Sequence, residues 1–248
     1  MKILLILTLL FSYMYANEKQ KVTVGLGPYI QSQPYYGVDN IVVPSPVIFF
    51  DNGIFYVRWS RAGLYFLGEK GDKFSWGFSL TAQPRPFGYK ASDSSTLAGM
   101  DERKNTFEGG IAFSASYEKE KYIEIMLLTD MLERHDAWLL KTEIGDTYKL
   151  GKCTFYPSII IMYQSQHFLD YYYGVRTSEA TLQRPAYRPS SGFEVGMQTY
   201  INYPLTKKFS ILANLRYDRL PSTASDSPIV EDNTIYSGLF SVIYTFEY

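Results

Sequence analysis

The sequence is poor in the residues that soluble enzymes and secreted domains rely on. Cys153 is its only cysteine, so no intrachain disulfide can form and a small bridge-stabilised secreted domain is excluded. Two histidines and one cysteine cannot supply a metal ligand set. Charged residues make up 20% of the 248 residues and the formal net charge is −1, which gives no reason to expect a nucleic-acid partner.

Long apolar runs are absent beyond the N-terminus. From residue 17 onward, no uninterrupted apolar stretch reaches the roughly 18 residues that a membrane-spanning helix needs. At the N-terminus, Lys2 precedes a mostly apolar stretch over 3–11, and Ala16 supplies a small residue before a polar segment. This order predicts a secretory signal peptide over 1–16 and a mature chain over 17–248.

Aromatic residues, by contrast, are abundant: they form 17% of the chain, and 23 of them are tyrosines. A tyrosine has an apolar ring and a polar tip, so it suits a surface that is half lipid and half water. A membrane protein without apolar helices must be a closed barrel, because lipid offers no partners to free backbone groups. Composition alone leaves a tyrosine-rich soluble β protein as the alternative.

Period-two alternation favours the barrel. The C-terminal segment 236–248 places apolar and aromatic side chains at every second position, among them Phe240, Val242, Tyr244 and Phe246. Such alternation over about twelve residues is longer than a typical soluble strand and suits a tilted membrane strand. We therefore predict an all-β fold, a single closed antiparallel transmembrane β-barrel of about 12 strands, with 10 as the alternative. The predicted strands lie near 22–33, 43–50, 54–60, 62–67, 73–83, 106–118, 121–129, 137–146, 153–165, 191–203, 208–219 and 235–248.

Short and long connections alternate along the chain. Outer-membrane barrels have short periplasmic turns and longer outer loops. The rule predicts that the long connections face outward; they are 34–42, 84–105, 166–190 and 220–234.

The predicted inward and interfacial side chains give the candidate sites. Polar residues that alternate with the apolar face are candidate pore lining: Glu194, Asn214, Arg216, Asp218 and Glu247. Three consecutive tyrosines early in an outer loop are candidates for a pore constriction or a contact surface: Tyr171, Tyr172 and Tyr173. Aromatics near predicted strand ends are assigned to the interfacial girdles: Tyr29, Tyr56, Trp59, Trp76, Tyr117, Tyr122, Trp138, Tyr163, Tyr203, Tyr217, Tyr244 and Tyr248.

Catalytic chemistry has little support. His135 is adjacent to Asp136, and His167 lies close to Ser165 and Asp170, yet neither set shows the nucleophile, base and oxyanion arrangement of a hydrolase. We expect no enzyme activity, no metal site and no cofactor.

Several segments resemble the MipA/OmpV family of outer-membrane proteins. The best stretch is Tyr171-Tyr172-Tyr173-Gly174-Val175, followed by Ser178-Glu179-Ala180 and Arg184-Pro185-Ala186-Tyr187. The others are Gly25-Leu26-Gly27 with Pro34-Tyr35-Tyr36-Gly37, Met100-Asp101-Glu102-Arg103 ahead of Glu108-Gly109-Gly110, and Arg219-Leu220-Pro221 with Ser227-Pro228-Ile229-Val230. They follow one another in order across the whole mature chain.

The resemblance implies a protein of the cell outer membrane, in contact with lipid. In one branch of the family it implies a non-enzymatic scaffold that brings a murein hydrolase and a murein synthase together, and other branches are described as porin-like. A scaffold and a narrow channel for small solutes therefore both remain open. Short periplasmic turns offer a small docking surface, which counts against a stable interface of ~1,000 Å². A barrel of about 12 strands is in turn narrow for a pore.

Overall fold

The computed structural model describes residues 20–85 and 88–247, and over these ranges it confirms the antiparallel barrel. The strands pair antiparallel with their neighbours, and the last strand pairs with the first, which closes the sheet. The predicted signal peptide, 1–16, lies outside the described residues. The strands are β1 (Lys21–Gln31), β2 (Ile41–Asp51), β3 (Phe55–Arg58), β4 (Arg61–Lys70), β5 (Phe74–Arg85), β6 (Thr106–Tyr117), β7 (Lys121–Asp130), β8 (Trp138–Gly145), β9 (Tyr148–Leu150), β10 (Cys153–Gln164), β11 (Gly192–Pro204), β12 (Phe209–Arg219) and β13 (Thr234–Glu247).

Two of these segments form one barrel strand. β8 and β9 both pair with β10, one after the other, and only Asp146 and Thr147 interrupt them. The thirteen strand segments of the described ranges therefore make a barrel of 12 strands, which confirms the predicted number. The connection between the strands predicted near 137–146 and 153–165 is shorter than those bounds imply, because β9 continues the strand as far as Leu150.

Helical turns occur in the outer loops, where none was predicted. They are α1 (Gln166–Tyr173), α2 (Ser222–Ser225) and two short 3-10 turns at Ser95–Leu97 and Thr177–Glu179. Across the described part of the chain, no helix has both the length and the apolar character needed to cross a membrane.

Side chains alternate between lipid and lumen as the period-two pattern predicts. On β11, Val195 and Met197 are exposed on the outer face, whereas Glu194 faces inward and is buried. On β13, Phe240, Val242 and Phe246 are exposed and Ser241 is buried, so the predicted phase of the C-terminal strand is confirmed. Tyr248 lies outside the described residues.

Four aromatics assigned to the girdles were placed on the wrong face. Tyr29 and Trp59 pack against each other inside the barrel (5.6 Å between ring centroids), Tyr56 is buried, and the Tyr122 hydroxyl donates to the lumen residue Glu143 (2.8 Å). Each ring has a polar group that finds a partner inside, which removes the usual reason for an interfacial position. Aromatics on the outer face include Tyr117, Trp138, Tyr203 and Tyr236.

The interior is partly filled. A large apolar cluster lies under the long loops and includes Tyr35, Leu97, Leu169 and Ile229. A smaller cluster lies deeper, on β2, β12 and β13, and consists of Val47, Leu212, Leu239 and Ile243 with Tyr29, Phe49, Trp59 and Tyr200 packed against it. The lumen is therefore apolar along this part of the wall, in addition to its polar lining.

The ends of the barrel are named by loop length. Because outer-membrane barrels have short periplasmic turns, we call the end with the turns after β2, β4, β6, β9 and β11 the periplasmic end. The loops over 32–40, 88–105, 165–191 and 220–233 lie at the opposite, outer end.

Candidate functional site: the lumen and its outer plug

A cavity of about 1720 Å³ runs through the barrel interior. Its lining extends from Lys21 and Asn52 at the periplasmic end to Phe168, Tyr172 and Tyr173 beneath the outer loops. Charged and polar side chains alternate into it from most strands. This lumen is the concave site of the molecule.

Four of the five predicted pore-lining residues lie together on this cavity: Glu194, Asn214, Arg216 and Asp218. The Arg216 guanidinium binds Asp218 through two hydrogen bonds (2.7 and 2.8 Å) and lies 3.9 Å from the Glu194 carboxylate. Glu247 lies apart from them. It is exposed at the periplasmic end of β13 and forms an ion pair with Lys21 (2.9 Å).

Further lumen charges were missed by sequence reasoning. Arg61 contacts both oxygens of Glu124 (2.6 and 2.8 Å), and Arg58 adds a third bond to the same carboxylate (3.1 Å). On the neighbouring wall, Lys141 pairs with Glu143 (3.1 Å). The signal was present, since these charges interrupt apolar strands at alternate positions. Pairing lets the lumen hold charges that would be costly to bury singly.

The three consecutive tyrosines sit in α1, at the outer end of the cavity. Tyr172 and Tyr173 are buried in the apolar cluster and line the cavity from above. Tyr171 points to a neighbouring loop, where its hydroxyl accepts from the Lys104 backbone N–H (2.7 Å). Two of the three rings thus lie at the outer end of the cavity, and the third contacts a neighbouring loop.

A buried ion pair joins two outer loops. Arg103 and Glu179 have side chains that are 1% and 3% exposed, and one guanidinium nitrogen lies 2.9 Å from both carboxylate oxygens. Glu179 also accepts from the backbone N–H groups of Asp101 and Arg176 (2.9 Å each). Arg103 in turn donates from Nε to the Tyr171 carbonyl (2.7 Å). Every lone pair direction of the carboxylate is thus used, as a buried charge requires.

The remaining loops join the same structure. The Tyr35 hydroxyl donates to the Tyr172 carbonyl (3.2 Å), and the Ser227 hydroxyl donates to the Tyr173 carbonyl (2.6 Å). The buried Arg184 donates to the carbonyls of Ala98 (3.1 Å) and Glu179 (2.7 Å). We call this assembly of four interlocked loops the outer plug; it closes the lumen at the outer end.

Glu179 in the outer plug and His135 in the neighbouring loop between β7 and β8 have shifted pKa values. Burial lowers the pKa of His135, whose ring packs against Phe168 (5.3 Å), so the ring is neutral near pH 7. Burial works to raise the pKa of Glu179, but the backbone donors and the Arg103 guanidinium together hold it below its usual value. Near pH 7 the His135 ring is therefore neutral and the Glu179 carboxyl is ionised.

The His135 ring is engaged by its own loop. The His135 Nδ1 accepts from the Ala137 N–H (3.2 Å) and is therefore occupied by the backbone. In the described ranges, no group of three or more His, Cys, Asp or Glu side chains is placed to hold a metal ion.

Fold and lumen together define an outer-membrane β-barrel of a Gram-negative bacterium, closed at its outer end by its own loops. The sequence profile of the family "MltA-interacting protein MipA" matches residues 24–246, so the chain belongs to that family. The predicted resemblance is thereby confirmed.

Individual relatives agree with this assignment. The MltA-interacting protein of Escherichia coli K12 is 28% identical over 242 residues, covering 94% of this chain and 92% of the relative. The putative outer membrane protein YiaT of the same organism is 22% identical over 237 residues, covering 94% of each. Among solved structures, the outer membrane protein OmpT of Vibrio cholerae superposes with a TM-score of 0.43 at 7% identity, over 92% of this chain and 100% of that chain.

The segments that carry the family resemblance are largely those that build the outer plug. Arg103, Glu179, Arg184 and Tyr35 all belong to them, and each makes a contact between loops. Gly27, in another such segment, lies where β1 approaches β13, and a Cβ there would come within 1.8 Å of the Phe240 carbonyl oxygen.

Proposed function

We propose that this protein is a non-enzymatic interaction protein that binds cell-wall enzymes, a murein hydrolase and a murein synthase, through its periplasmic end. The observation that carries the proposal is the closed outer plug, which leaves the periplasmic end as the open face of the lumen. A relative named for interaction with MltA supports the same reading. Relatives carry the names of interaction or outer membrane proteins, and none of the names reported above is that of an enzyme.

Exposed apolar side chains mark the contact surface at the periplasmic end. Leu150 on β9 is 74% exposed, and Leu205 in the turn after β11 is also exposed. These strands flank β10, so the two leucines lie on neighbouring parts of the rim. Apolar side chains that protrude beyond the membrane contribute most when a partner covers them.

The test measures binding of a purified murein lytic transglycosylase and a murein synthase to the barrel in nanodiscs. Leu150→Asp is expected to lower the affinity about tenfold or more, as loss of a central apolar contact does. The matched control is Leu182→Asp, at an outer-loop leucine that is 99% exposed, and it should leave binding unchanged. Equal effects of the two substitutions, or no binding by the parent, would refute the proposal.

A narrow channel for small solutes is the second candidate, and the polar cavity of about 1720 Å³ favours it. Planar-bilayer recording distinguishes the two. The interaction proposal predicts low conductance for the parent, because the outer plug is closed. High steady conductance of the parent would instead support the channel.

A further inference from the structure

The barrel wall has a gap in its outer half, between β2 and β5. β3 consists of only four residues, and it pairs with β2 through three of them. The turn at Trp59 and Ser60, with Trp59 at a φ of 57°, then sends the chain back down as β4. Above this turn, none of the strands described lies between the outer half of β2 and the outer end of β5.

The edge of β2 that borders the gap has few hydrogen-bond donors. The Ile48 carbonyl accepts from the Trp59 N–H on the β3 side (2.8 Å), so the backbone groups of Ile48 face β3. Backbone direction repeats every second residue, and Pro46 and Pro44 therefore face the gap, where neither has an N–H. The Ser45 hydroxyl donates to the Pro46 carbonyl (3.4 Å) and accepts from the Trp59 indole (3.0 Å).

The edge of β5 has the same character. The Phe107 carbonyl accepts from Met131, on the β7 side of β6. Phe107 lies opposite Pro84 on β5. Directly opposed residues of an antiparallel pair either both bond to each other or both face away. Pro84 therefore faces away from β6, toward the gap.

Prolines on both edges indicate that the gap is a lasting feature of the wall. An unpaired donor in the bilayer costs several kcal/mol, and a proline has no such donor. Proline also prevents an edge from pairing with another strand. With Pro44 and Pro46 on one side and Pro84 on the other, the two edges can neither join nor recruit a strand at these positions.

The lumen cavity extends to both edges of this gap. Its lining includes Pro44 and Pro46 on β2 and Pro84 on β5. Val42 and Val43 point to opposite faces of β2, yet both are exposed, at 63% and 43%. At the edge of the gap, a side chain on each face of β2 is thus accessible.

We propose that the gap is a lateral portal through which the alkyl chain of a membrane amphiphile enters the lumen from the outer half of the bilayer. The small apolar cluster around Val47 and Trp59 provides a surface for the chain. Arg58 lies below Trp59, at the level where a polar head group would meet the charged lumen. This portal is independent of the enzyme contact proposed above, because it lies at membrane depth on the opposite half of the barrel.

Trp59 reports on the portal directly, because the chain has only three tryptophans. In a Trp76→Phe/Trp138→Phe variant, Trp59 is the single tryptophan. Phospholipid vesicles with acyl chains brominated near mid-depth should quench its fluorescence, although its side chain faces the lumen. The comparison is a variant in which all three tryptophans are phenylalanine and Met162→Trp is added, which places the indole in the large apolar cluster, behind the fully paired β8, β10 and β11 wall. That variant should show little quenching.

A matched pair of substitutions tests the entrance itself. Val43→Tyr narrows the portal and should reduce the quenching of Trp59, whereas Val42→Tyr on the lipid face of the same strand should not. A heat-dependent gel shift confirms that each variant is folded. The proposal is overturned if Trp59 is quenched no more than the tryptophan at the Met162 position, or if the two valine variants behave alike.

Discussion

The lipid-facing and lumen-facing sides of β11 differ in what they tolerate, and adjacent residues make the comparison direct. Met197 is 60% exposed on the lipid face near the middle of the strand. Gln198 faces the lumen and donates to the Glu143 carboxylate (2.8 Å). Arginine at the two positions places the same charge at the same depth on opposite faces of the wall.

The magnitudes follow from the surroundings. Met197→Arg puts a guanidinium near the bilayer midplane and should cost about 2–4 kcal/mol, a change of roughly 30- to 700-fold in the folding equilibrium. Gln198→Arg loses one hydrogen bond of about 0.5–1.5 kcal/mol, but the new guanidinium can bind Glu143. The opposing Arg216 on β12 adds a repulsion of about 0.2–1 kcal/mol. We expect a net cost of about 1 kcal/mol.

The measurement is urea-dependent folding into lipid vesicles, with the midpoint and slope fitted for each variant. Tyr203→Arg supplies a depth control, since it lies on the same lipid face at the periplasmic end and should cost about 0–1 kcal/mol. A cost for Gln198→Arg equal to that of Met197→Arg would show that the two faces of β11 are wrongly assigned. The assignment of Glu194 and Gln198 on this strand to the lumen would then be wrong.

Other predictions concern the outer plug and the orientation. Glu179→Gln leaves Arg103 buried without its charged partner and should destabilise the outer plug by about 3–5 kcal/mol, which should be measured as higher conductance. The double variant Arg103→Met/Glu179→Leu should recover much of this loss. A conductance unchanged by Glu179→Gln would contradict the role of this ion pair in holding the outer loops together. Because the pKa of His135 lies below its ordinary value, the stability that its neutral ring provides is present above about pH 6.5 and declines as pH falls. The lowered pKa of Glu179 adds a loss of the same sign below about pH 4.5, so conductance should rise on acidification, and a rise on alkalinisation would refute this. The orientation is tested with single cysteines in a Cys153→Ser background. Cysteines at Ser92 and Ser222 in the outer loops should be labelled on intact cells, and those at Lys119 and Lys207 in the periplasmic turns only after permeabilisation. The reverse pattern would show that the assigned orientation is wrong.

Sequence reading succeeded where the determining forces are local. A strand in lipid must alternate its side chains and pair all its backbone groups. The period-two pattern therefore predicted the number of strands, which side chains of β13 face lipid, and an outer-membrane barrel. It also placed Glu194, Asn214, Arg216 and Asp218 in one set of inward-facing residues. The same reading misplaced Tyr29 and Trp59, because an aromatic near a strand end is equally compatible with a girdle or with the lumen.

Only the tertiary structure decided how the loops close the outer end and where the wall opens. Arg103 and Glu179 are 76 residues apart in the chain, and no local pattern specifies that they meet. The gap between β2 and β5 likewise depends on where a four-residue strand ends relative to its neighbours, which is a matter of register. The alternation of apolar and polar side chains depends only on which side of one strand faces lipid and which faces the lumen, so it is visible in the local sequence. Loop contacts and register are decided by partners distant in sequence, whose competing pairings only the folded barrel selects.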